Sequence, residues 1–137
     1  MTGRVRQSAA LVLVVCLASA WWLVSRAEGR LEDETEAAAD ALQAWARFAN
    51  TGNIVLVLDS FAEDGPQLRQ LKSEIDSIEP GPPYTFELSD AVVVGEGIVR
   101  GTVTIDRAGE PDQVFSWDIE LVQEDGRWKL WSVSTSP

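Results

Sequence analysis

Hydrophobic and polar residues alternate most regularly near the C-terminus of the chain. Within residues 112–134, apolar side chains occupy every second position from Phe115 to Leu121, which is the period of a strand with one buried face. Asp125-Gly126 then favours a two-residue type I′ turn, because both residue types tolerate positive φ there. With that turn Leu121 lies opposite Leu130, apolar against apolar. The segment is therefore predicted to form a β-hairpin.

The same period of two predicts the strands that precede the hairpin. It runs through residues 84–94, with a bulge at Ser89-Asp90. After a turn at Gly95-Glu96-Gly97 it continues through residues 99–106, and residues 108–111 turn the chain into the hairpin. About four antiparallel strands joined by short turns are therefore expected.

The part of the chain before the strands has a helical period instead. A helix is predicted over residues 31–50 with one apolar stripe, formed by Leu31, Ala38, Leu42, Trp45 and Ala49. Gly52 favours a left-handed cap at its end. Asn53 can cap a second, short helix over residues 54–64, although Ile54–Leu58 alone is also typical of a buried strand.

A third amphipathic helix is predicted between Pro66, a residue favoured in a first helical turn, and the stop at Pro80. Its apolar positions are Leu68, Leu71, Ile75 and Ile78. The predicted fold class is therefore α+β, with three helices packed on one face of a curved four-stranded antiparallel sheet. We expect the covered sheet face to include Trp117, Ile119, Trp128 and Leu130.

The N-terminal segment, residues 1–27, is predicted to be an anchor or a signal, and residues 28–137 to be the folded domain. Residues 8–25 contain no charge, and as a helix they would reach about 27 Å, close to the ~30 Å of a bilayer core. Arg4 and Arg6 before this run place the N-terminus in the cytoplasm and the domain outside. Cleavage after Ala20, which fits the A-x-A rule, or after Ala27, which fits it loosely, is the alternative and would give a secreted protein. The pair Trp21-Trp22 favours an uncleaved anchor, because tryptophan suits a membrane interface.

The negative charge of the domain disfavours partners that present phosphate groups. Residues 28–137 carry 8 basic and 22 acidic side chains, a net charge of −14. Nucleic acid and anionic lipid are therefore disfavoured, because phosphate contacts depend on clustered lysine and arginine.

The sequence contains few of the residue types that most often serve in catalysis or bind metal ions. The sequence contains no histidine, and its single cysteine, Cys16, lies in the N-terminal apolar run. The acidic residues at 32–36 fit the start of a helix, where they complement its dipole, better than they fit a metal site. Neither a metal nor another cofactor is expected.

The order of elements resembles the NTF2-like superfamily, the cystatin-like α+β cone. The resemblance covers roughly residues 31–134, and it is carried by Trp45, Phe48, Phe61, Ala62-Glu63-Asp64-Gly65, Gly126, Trp128 and Leu130. It implies a helix-covered, curved sheet. Membrane-anchored bacterial members combine a short cytoplasmic tail, one span and an external cone, so the resemblance also implies the bacterial cell membrane as the location.

The catalytic residues of enzymatic members do not carry over to this chain. Histidine is absent, and Tyr84 is the only tyrosine. Asp106 and Asp118 fall on the strand face that we assign to solvent, whereas a general base needs burial and a partner to tune its pKa. The chain is therefore predicted not to be an enzyme.

Six aromatic residues of the domain could line an apolar ligand pocket inside the cone. They are Trp45, Phe48, Phe61, Phe86, Trp117 and Trp128. The same set could also form the hydrophobic core, and the pattern favours the core.

Trp131 is the aromatic residue that core packing explains least. The predicted register places it opposite Glu120, on the outer face of the sheet with Val133. Thr102 and Thr104 are predicted on the same face of a neighbouring strand. Since tryptophan is enriched at interfaces, these four residues form a candidate partner surface.

The sequence thus favours a non-catalytic, membrane-tethered extracytoplasmic domain that mediates protein–protein interaction or assembly, including formation of a homodimer. The alternatives are a binding module with a small apolar ligand in the cone and, less favoured, an isomerase or dehydratase.

The predicted topology can be tested by adding protease to intact cells. If residues 8–25 span the membrane, external protease should remove the folded domain and leave the first twenty residues or so with the membrane. Immunoblotting of tagged fragments would show this result. A soluble product that begins at Trp21 or Glu28 would instead establish cleavage and secretion.

Overall fold

The computed structural model describes residues 34–136. The predicted anchor or signal, residues 1–27, and its charge-free run, residues 8–25, lie outside the described residues. Between residues 34 and 136 no helix is long and apolar enough to cross a membrane.

The described part contains two α-helices, two short 3-10 helices and four strands. Helix α1 is described over residues 34–51. It is followed by the 3-10 helix Ile54–Val57, helix α2 (Pro66–Ser73), the 3-10 helix Ile75–Ser77, and strands β1 (Tyr84–Gly95), β2 (Ile98–Arg107), β3 (Gln113–Glu124) and β4 (Arg127–Thr135).

The four strands form one antiparallel sheet in the order β1-β2-β3-β4. The structure therefore confirms the α+β class and the four-stranded antiparallel sheet. Asp125 and Gly126 both have positive φ, 56° and 77°, as a type I′ turn requires. Leu121 pairs with Leu130 as predicted. The bulge in β1 is also confirmed, since the register shifts between Ser89 and Val92.

A second bulge, in β4, corrects the predicted register. Glu120 pairs with Ser132 rather than with Trp131, so Trp131 is an extra residue without a partner on β3. Each residue after the bulge consequently faces the side opposite to the prediction. Val133 lies opposite Ile119, which is fully buried, and packs against the core. The assignment of Val133 to the outer face was wrong.

The predicted second and third helices are shorter than expected. The second is a single 3-10 turn, capped by Asn53, whose Oδ1 accepts a hydrogen bond from the Val55 amide at 3.1 Å. The chain then extends, and residues 60–62 bond to β4 at Leu130. These residues use their backbone groups to pair with a strand edge, so they cannot continue a helix.

The third predicted helix divides into α2 and the turn Ile75–Ser77. Ile78 already has extended backbone, with ψ of 124°, as the chain approaches Pro80. Proline disfavours helical backbone in the residue before it, which limits how far this helical segment can run.

The core lies between α1 and the inner face of the sheet. Its fully buried large side chains come from α1, from the segment around Phe61, from α2 and from strands β2, β3 and β4; they are Leu42, Phe48, Val57, Phe61, Leu68, Leu71, Val99, Val103, Ile119 and Leu130. Trp117 and Trp128 are half-buried and pack against this core. The predicted inner face of the hairpin is therefore confirmed.

All of these core residues belong to one compact unit, Asp33–Pro137. A fragment of residues 28–137 thus contains the whole described core, and we expect it to fold without the N-terminal segment.

The turn between β1 and β2 joins three elements at Gly97. Its amide donates to Glu34 Oε2 of α1 at 2.7 Å, and its carbonyl accepts from the Leu121 amide at 2.6 Å. Gly97 has a φ of 73°, and a Cβ at this position would lie 2.5 Å from the Leu121 carbonyl oxygen. A glycine is required here both for its conformation and for this close approach.

Replacing Gly97 with alanine should therefore destabilise the domain by more than backbone strain alone. Gly109 is a matched control, because it also has positive φ (87°) but nothing lies within 4 Å of the position that a Cβ would take. We expect Gly109→Ala to cost ~1–2 kcal/mol for the left-handed backbone. Gly97→Ala should cost a further ~1–3 kcal/mol because neighbouring atoms must shift. Urea unfolding of both variants would measure the difference, and equal losses would contradict this role of Gly97.

Candidate functional site

A pocket of about 320 Å³ opens where the end of α1 meets the start of β1 and the end of β2. It is lined by Ala49, Ser77, Ile78, Glu79, Tyr84, Phe86, Ile105 and Arg107. Two cross-strand pairs form its floor, Tyr84 with Arg107 and Phe86 with Ile105. Directly opposite residues on antiparallel strands point to the same face, so all four side chains lie on the inner side of the sheet.

The lining of the pocket is mixed, with four apolar residues and four polar or charged ones. Phe86 and Ile105 contribute the sheet side, and Ile78 contributes the side formed after the turn Ile75–Ser77. On α1 the lining residue is Ala49, whose small side chain leaves the space open. Small-molecule sites combine apolar walls with placed polar groups, and this lining contains both kinds of side chain.

Arg107 is the basic residue of the lining, and several contacts fix its position. Its Nε donates to the Pro82 carbonyl at 2.7 Å, and its Nη1 donates to the Tyr84 hydroxyl at 3.0 Å. The guanidinium carbon lies 4.4 Å from the Tyr84 ring centroid, a cation–π distance. The side chain is only 13% exposed.

Gly81 allows the connecting loop to pass over this guanidinium. A Cβ at Gly81 would lie 1.9 Å from Nη2 of Arg107, so the loop and the arginine are closely fitted. The carboxylate of Glu110 is 3.6 Å from Nη1, and its side chain is 49% exposed. Arg107 is thus held by the loop and by Tyr84, with a looser partner on the solvent side.

Side chains of α1 hold the outer edge of β1 beside the pocket. Asn50 accepts from the Tyr84 amide at 2.6 Å and donates to the Tyr84 carbonyl at 3.1 Å. Gln43 donates to the Phe86 carbonyl at 2.8 Å. These bonds take the place of a neighbouring strand, so the pocket is positioned by the same contacts that join α1 to the sheet.

The predicted aromatic set is brought together in part. Trp45 lies 5.7 Å, centroid to centroid, from both Phe86 and Trp117, and 6.0 Å from Phe61. Phe48 and Phe61 are buried to 1% exposure or less. Of these residues Phe86 alone lines the pocket described above; most of the set is core.

Trp128, the sixth aromatic residue, lies away from that cluster. It approaches Gly97, since a Cβ there would be 3.2 Å from its ring. The pocket is at the opposite end of the β1–β2 hairpin from this turn.

Sequence reasoning missed Arg107. The signal that could have found it is the phase of β2, in which Val103 and Ile105 face inward and Arg107 follows in step. A charged residue in phase with a buried face marks a polar group directed toward the interior.

The candidate partner surface does not form one patch. Trp131 lies near the Glu120 position of the sheet, whereas Thr104 pairs with Val114. Six residues along a strand correspond to about 20 Å, so Trp131 and Thr104 are far apart. Trp131 is half-buried, and a Cβ on Gly65 would be 3.0 Å from its carbonyl oxygen.

The outer face of the sheet is polar at its centre. Arg100 binds Asp118 through two bonds, Nε to Oδ1 at 2.8 Å and Nη2 to Oδ2 at 3.1 Å. The hydrogen bond from Arg100 lowers the pKa of Asp118 below its ordinary value. A carboxylate held ionised in this way is a poor general base, and this face lacks the apolar centre of a typical interface.

Asp106 and Asp112 form a second carboxylate contact, at the turn between β2 and β3. A hydrogen bond to Asp106 raises the pKa of Asp112. Both residues are exposed. Among residues 34–136 no group of three or more histidine, cysteine or acidic residues could hold a metal ion.

An exposed apolar turn follows α1. In and beside the 3-10 helix Ile54–Val57, the exposed fractions are 65% for Val55, 37% for Leu56 and 43% for Leu58. The helix predicted over residues 54–64 gave no indication of which of these side chains would be exposed.

Comparison with known proteins relates the chain to one protein family. The model of the family described as "Low molecular weight antigen MTB12, C-terminal domain" matches residues 34–135. The match spans α1, the pocket and all four strands. No curated protein matches the chain.

The β4 bulge turns Val133 toward the core and Ser132 toward the outer face. It therefore predicts which of these two side chains contributes more to stability. Val133→Ala should lower the free energy of unfolding by ~1–2 kcal/mol, because it removes apolar contacts with the core. Its neighbour Ser132, on the outer face, bonds only to Glu120 at 3.2 Å, so Ser132→Ala should cost less than ~0.5 kcal/mol. Chemical unfolding would compare them. A larger loss for Ser132→Ala would contradict the position of the bulge.

Proposed function

This chain belongs to the family of the low molecular weight antigen MTB12 C-terminal domain, and from that premise we propose that its domain is a non-catalytic module that binds a small molecule with an apolar body. The observation that carries the proposal is the pocket beside Phe86, Ile105 and Arg107. Its volume, about 320 Å³, lies at the lower end of the ~300–1,000 Å³ of small-molecule sites.

The contacts around the pocket favour a site that is formed before the ligand arrives. Asn50 and Gln43 fasten β1 to α1, and Arg107 fastens the loop at Pro82. A preformed site loses little conformational entropy on binding, which increases affinity. This is the physical reason for preferring the pocket to the outer sheet face as the functional site.

The non-catalytic part of the proposal rests on the side chains available. The sequence has no histidine, and its one cysteine precedes the domain. The ionisable residues of the lining are Glu79, Tyr84 and Arg107. Two of these, Tyr84 and Arg107, are bonded to each other at 3.0 Å, and the lining hydroxyl of Ser77 has no histidine to activate it.

We further propose that the domain has the NTF2-like arrangement, a cone of curved sheet covered by helices, and that it works outside a bacterial cytoplasm. The order α1, short helical segments and four antiparallel strands supports the first point. The charge-free run 8–25 behind Arg4 and Arg6 supports the second. In this proposal the run tethers the domain to the membrane, or is removed by cleavage after Ala20.

A protein partner, or a second copy of the chain, is the second candidate function. The observation that favours it is the exposed apolar turn of Val55, Leu56 and Leu58, because clustered exposed apolar side chains mark interaction sites. Trp131 lies apart from Thr102 and Thr104 on the sheet, so these three residues give this candidate less support.

The proposed ligand binding can be tested with N-phenyl-1-naphthylamine, an uncharged apolar dye whose fluorescence rises in apolar surroundings. Residues 28–137 should bind about one equivalent. Ala49→Leu should weaken binding at least ~10-fold, since the added side chain occupies the pocket. Ala108→Leu is the matched control, because Ala108 is exposed in a turn away from the lining.

Circular dichroism should show that both variants remain folded, because the leucine at position 49 enters open space. Absence of binding by the wild-type domain would overturn the proposal. Equal binding by the Ala49→Leu variant would place the dye elsewhere and have the same consequence.

A further inference from the structure

We infer that Arg107 makes the pocket selective for a monocarboxylic acid with a compact apolar body, such as a medium-chain fatty acid or an aryl acid. This inference rests on the proposed function, since it names the ligand class of the same pocket. It goes beyond the proposed binding of an apolar ligand, because it assigns the selectivity for a carboxylate to Arg107.

Two nitrogen atoms of the Arg107 guanidinium already donate short hydrogen bonds. Nε and Nη1 make short bonds, to the Pro82 carbonyl at 2.7 Å and to the Tyr84 hydroxyl at 3.0 Å. The remaining contacts are long: Nη2 lies 3.5 Å from the Glu79 carbonyl, and Nη1 lies 3.6 Å from Glu110. A guanidinium–carboxylate bond is normally about 2.7–2.9 Å. The loop at Gly81 lies close to Nη2, so the capacity for a closer acceptor is at Nη1, whose contact with Glu110 is long.

The Arg107 side chain is also mostly removed from water. With 13% of its side chain exposed, Arg107 has lost most of its hydration. A buried cation is stabilised by a charged partner, and removal from water strengthens that attraction. Glu110 fills this role incompletely, because its own side chain is 49% exposed and its oxygen lies 3.6 Å away. A ligand carboxylate in the pocket would place a closer negative charge beside the cation.

Apolar side chains of the lining define what the rest of the ligand must be. Next to Arg107 the floor is Phe86 and Ile105, and Ala49 and Ile78 stand opposite. A carboxylate at the guanidinium thus requires an apolar body to fill the space behind it. The volume of about 320 Å³ limits that body to a compact one.

The acidic charge of the domain makes this selectivity unusual and testable. A net charge of −14 over residues 28–137 repels anions in general. Glu79, which also lines the pocket, would favour a cationic ligand instead. A preference for an anion must therefore come from the local contact with Arg107 and not from the overall field.

The test compares three eight-carbon probes that differ only in the head group: octanoate, 1-octanol and octylammonium. Each is titrated into residues 28–137 at neutral pH, with the amide signals of Phe86 and Ile105 followed by NMR. Octanoate should bind at least ~10-fold more tightly than 1-octanol, as expected for a bond to a charged group. Octylammonium should bind more weakly than either.

The outcomes separate this inference from the proposed function. If octanol binds as tightly as octanoate, the pocket is functional but the inference is wrong. Tightest binding of octylammonium would also overturn it and would point to Glu79. If none of the three probes binds, the proposed function itself fails.

Two substitutions locate the effect at Arg107. Glu110→Gln removes the competing carboxylate, so octanoate affinity should rise ~3–10-fold while octanol affinity stays constant. Glu96→Gln, an exposed glutamate at the opposite end of the hairpin, is the control for the change in net charge. Equal effects of both variants on octanoate would overturn the inference.

Arg107→Lys retains the charge but loses the planar fork and the bond to the loop. It should reduce octanoate affinity to near that of octanol. Should this variant unfold, the Glu110→Gln result still decides the question, because that substitution lies on the exposed side and outside the lining.

Discussion

The packing of Trp45 on the inner face of the sheet is the interaction on which the rest of the domain depends. One ring on α1 contacts Phe86 of β1, Trp117 of β3 and Phe61 of the connecting segment. Aromatic pairs at these distances add specific geometry to the burial of a large apolar area. They fix where α1 crosses the sheet, and thereby fix which parts of the inner face are filled and which part stays open as the pocket.

Each edge of the sheet is bonded locally by the segments that precede the strands. At β4, Leu130 exchanges backbone hydrogen bonds with residues 60–62, at 2.8 and 2.9 Å. At β1, Asn50 and Gln43 provide the partners of Tyr84 and Phe86. Open strand edges are sites of unwanted pairing, so these contacts protect the sheet. The contact at Leu130 also explains why the second helix is shorter than predicted.

The two faces of the sheet differ, because the outer face carries a charged pair at its centre and the inner face has a pocket at one end. The outer face is occupied at its centre by the paired charges of Arg100 and Asp118, which satisfy each other. The inner face is filled by the core except at the end where Arg107 lines the pocket with Phe86 and Ile105. A partly buried arginine with one loosely placed acidic partner, Glu110, is a feature that core packing alone does not require. We therefore assign function to the pocket, with the exposed turn at Val55, Leu56 and Leu58 as the surface for any protein partner.

The sequence by itself determined the elements that depend on local patterns. The hairpin with Asp125-Gly126, the bulge near Asp90, the helix that carries Trp45 and the α+β class follow from periodicity and turn chemistry, which act over a few residues. Most of the inner face was also predictable, because alternation fixes which side chains share a side. The candidate site was predictable only through Phe86.

Only the tertiary structure decided the features that require distant segments to meet. The bulge at Trp131 sits where Ser60–Ala62 and Gly65 approach β4, and no local signal in β4 encodes that contact. It turned Val133 inward, because a single extra residue reverses every later side chain. The pocket likewise exists because Ala49, Ile78 and Arg107, far apart in sequence, come together around a space that none of them fills. Periodicity specifies the face on which a side chain lies, whereas the space between faces depends on how those elements pack.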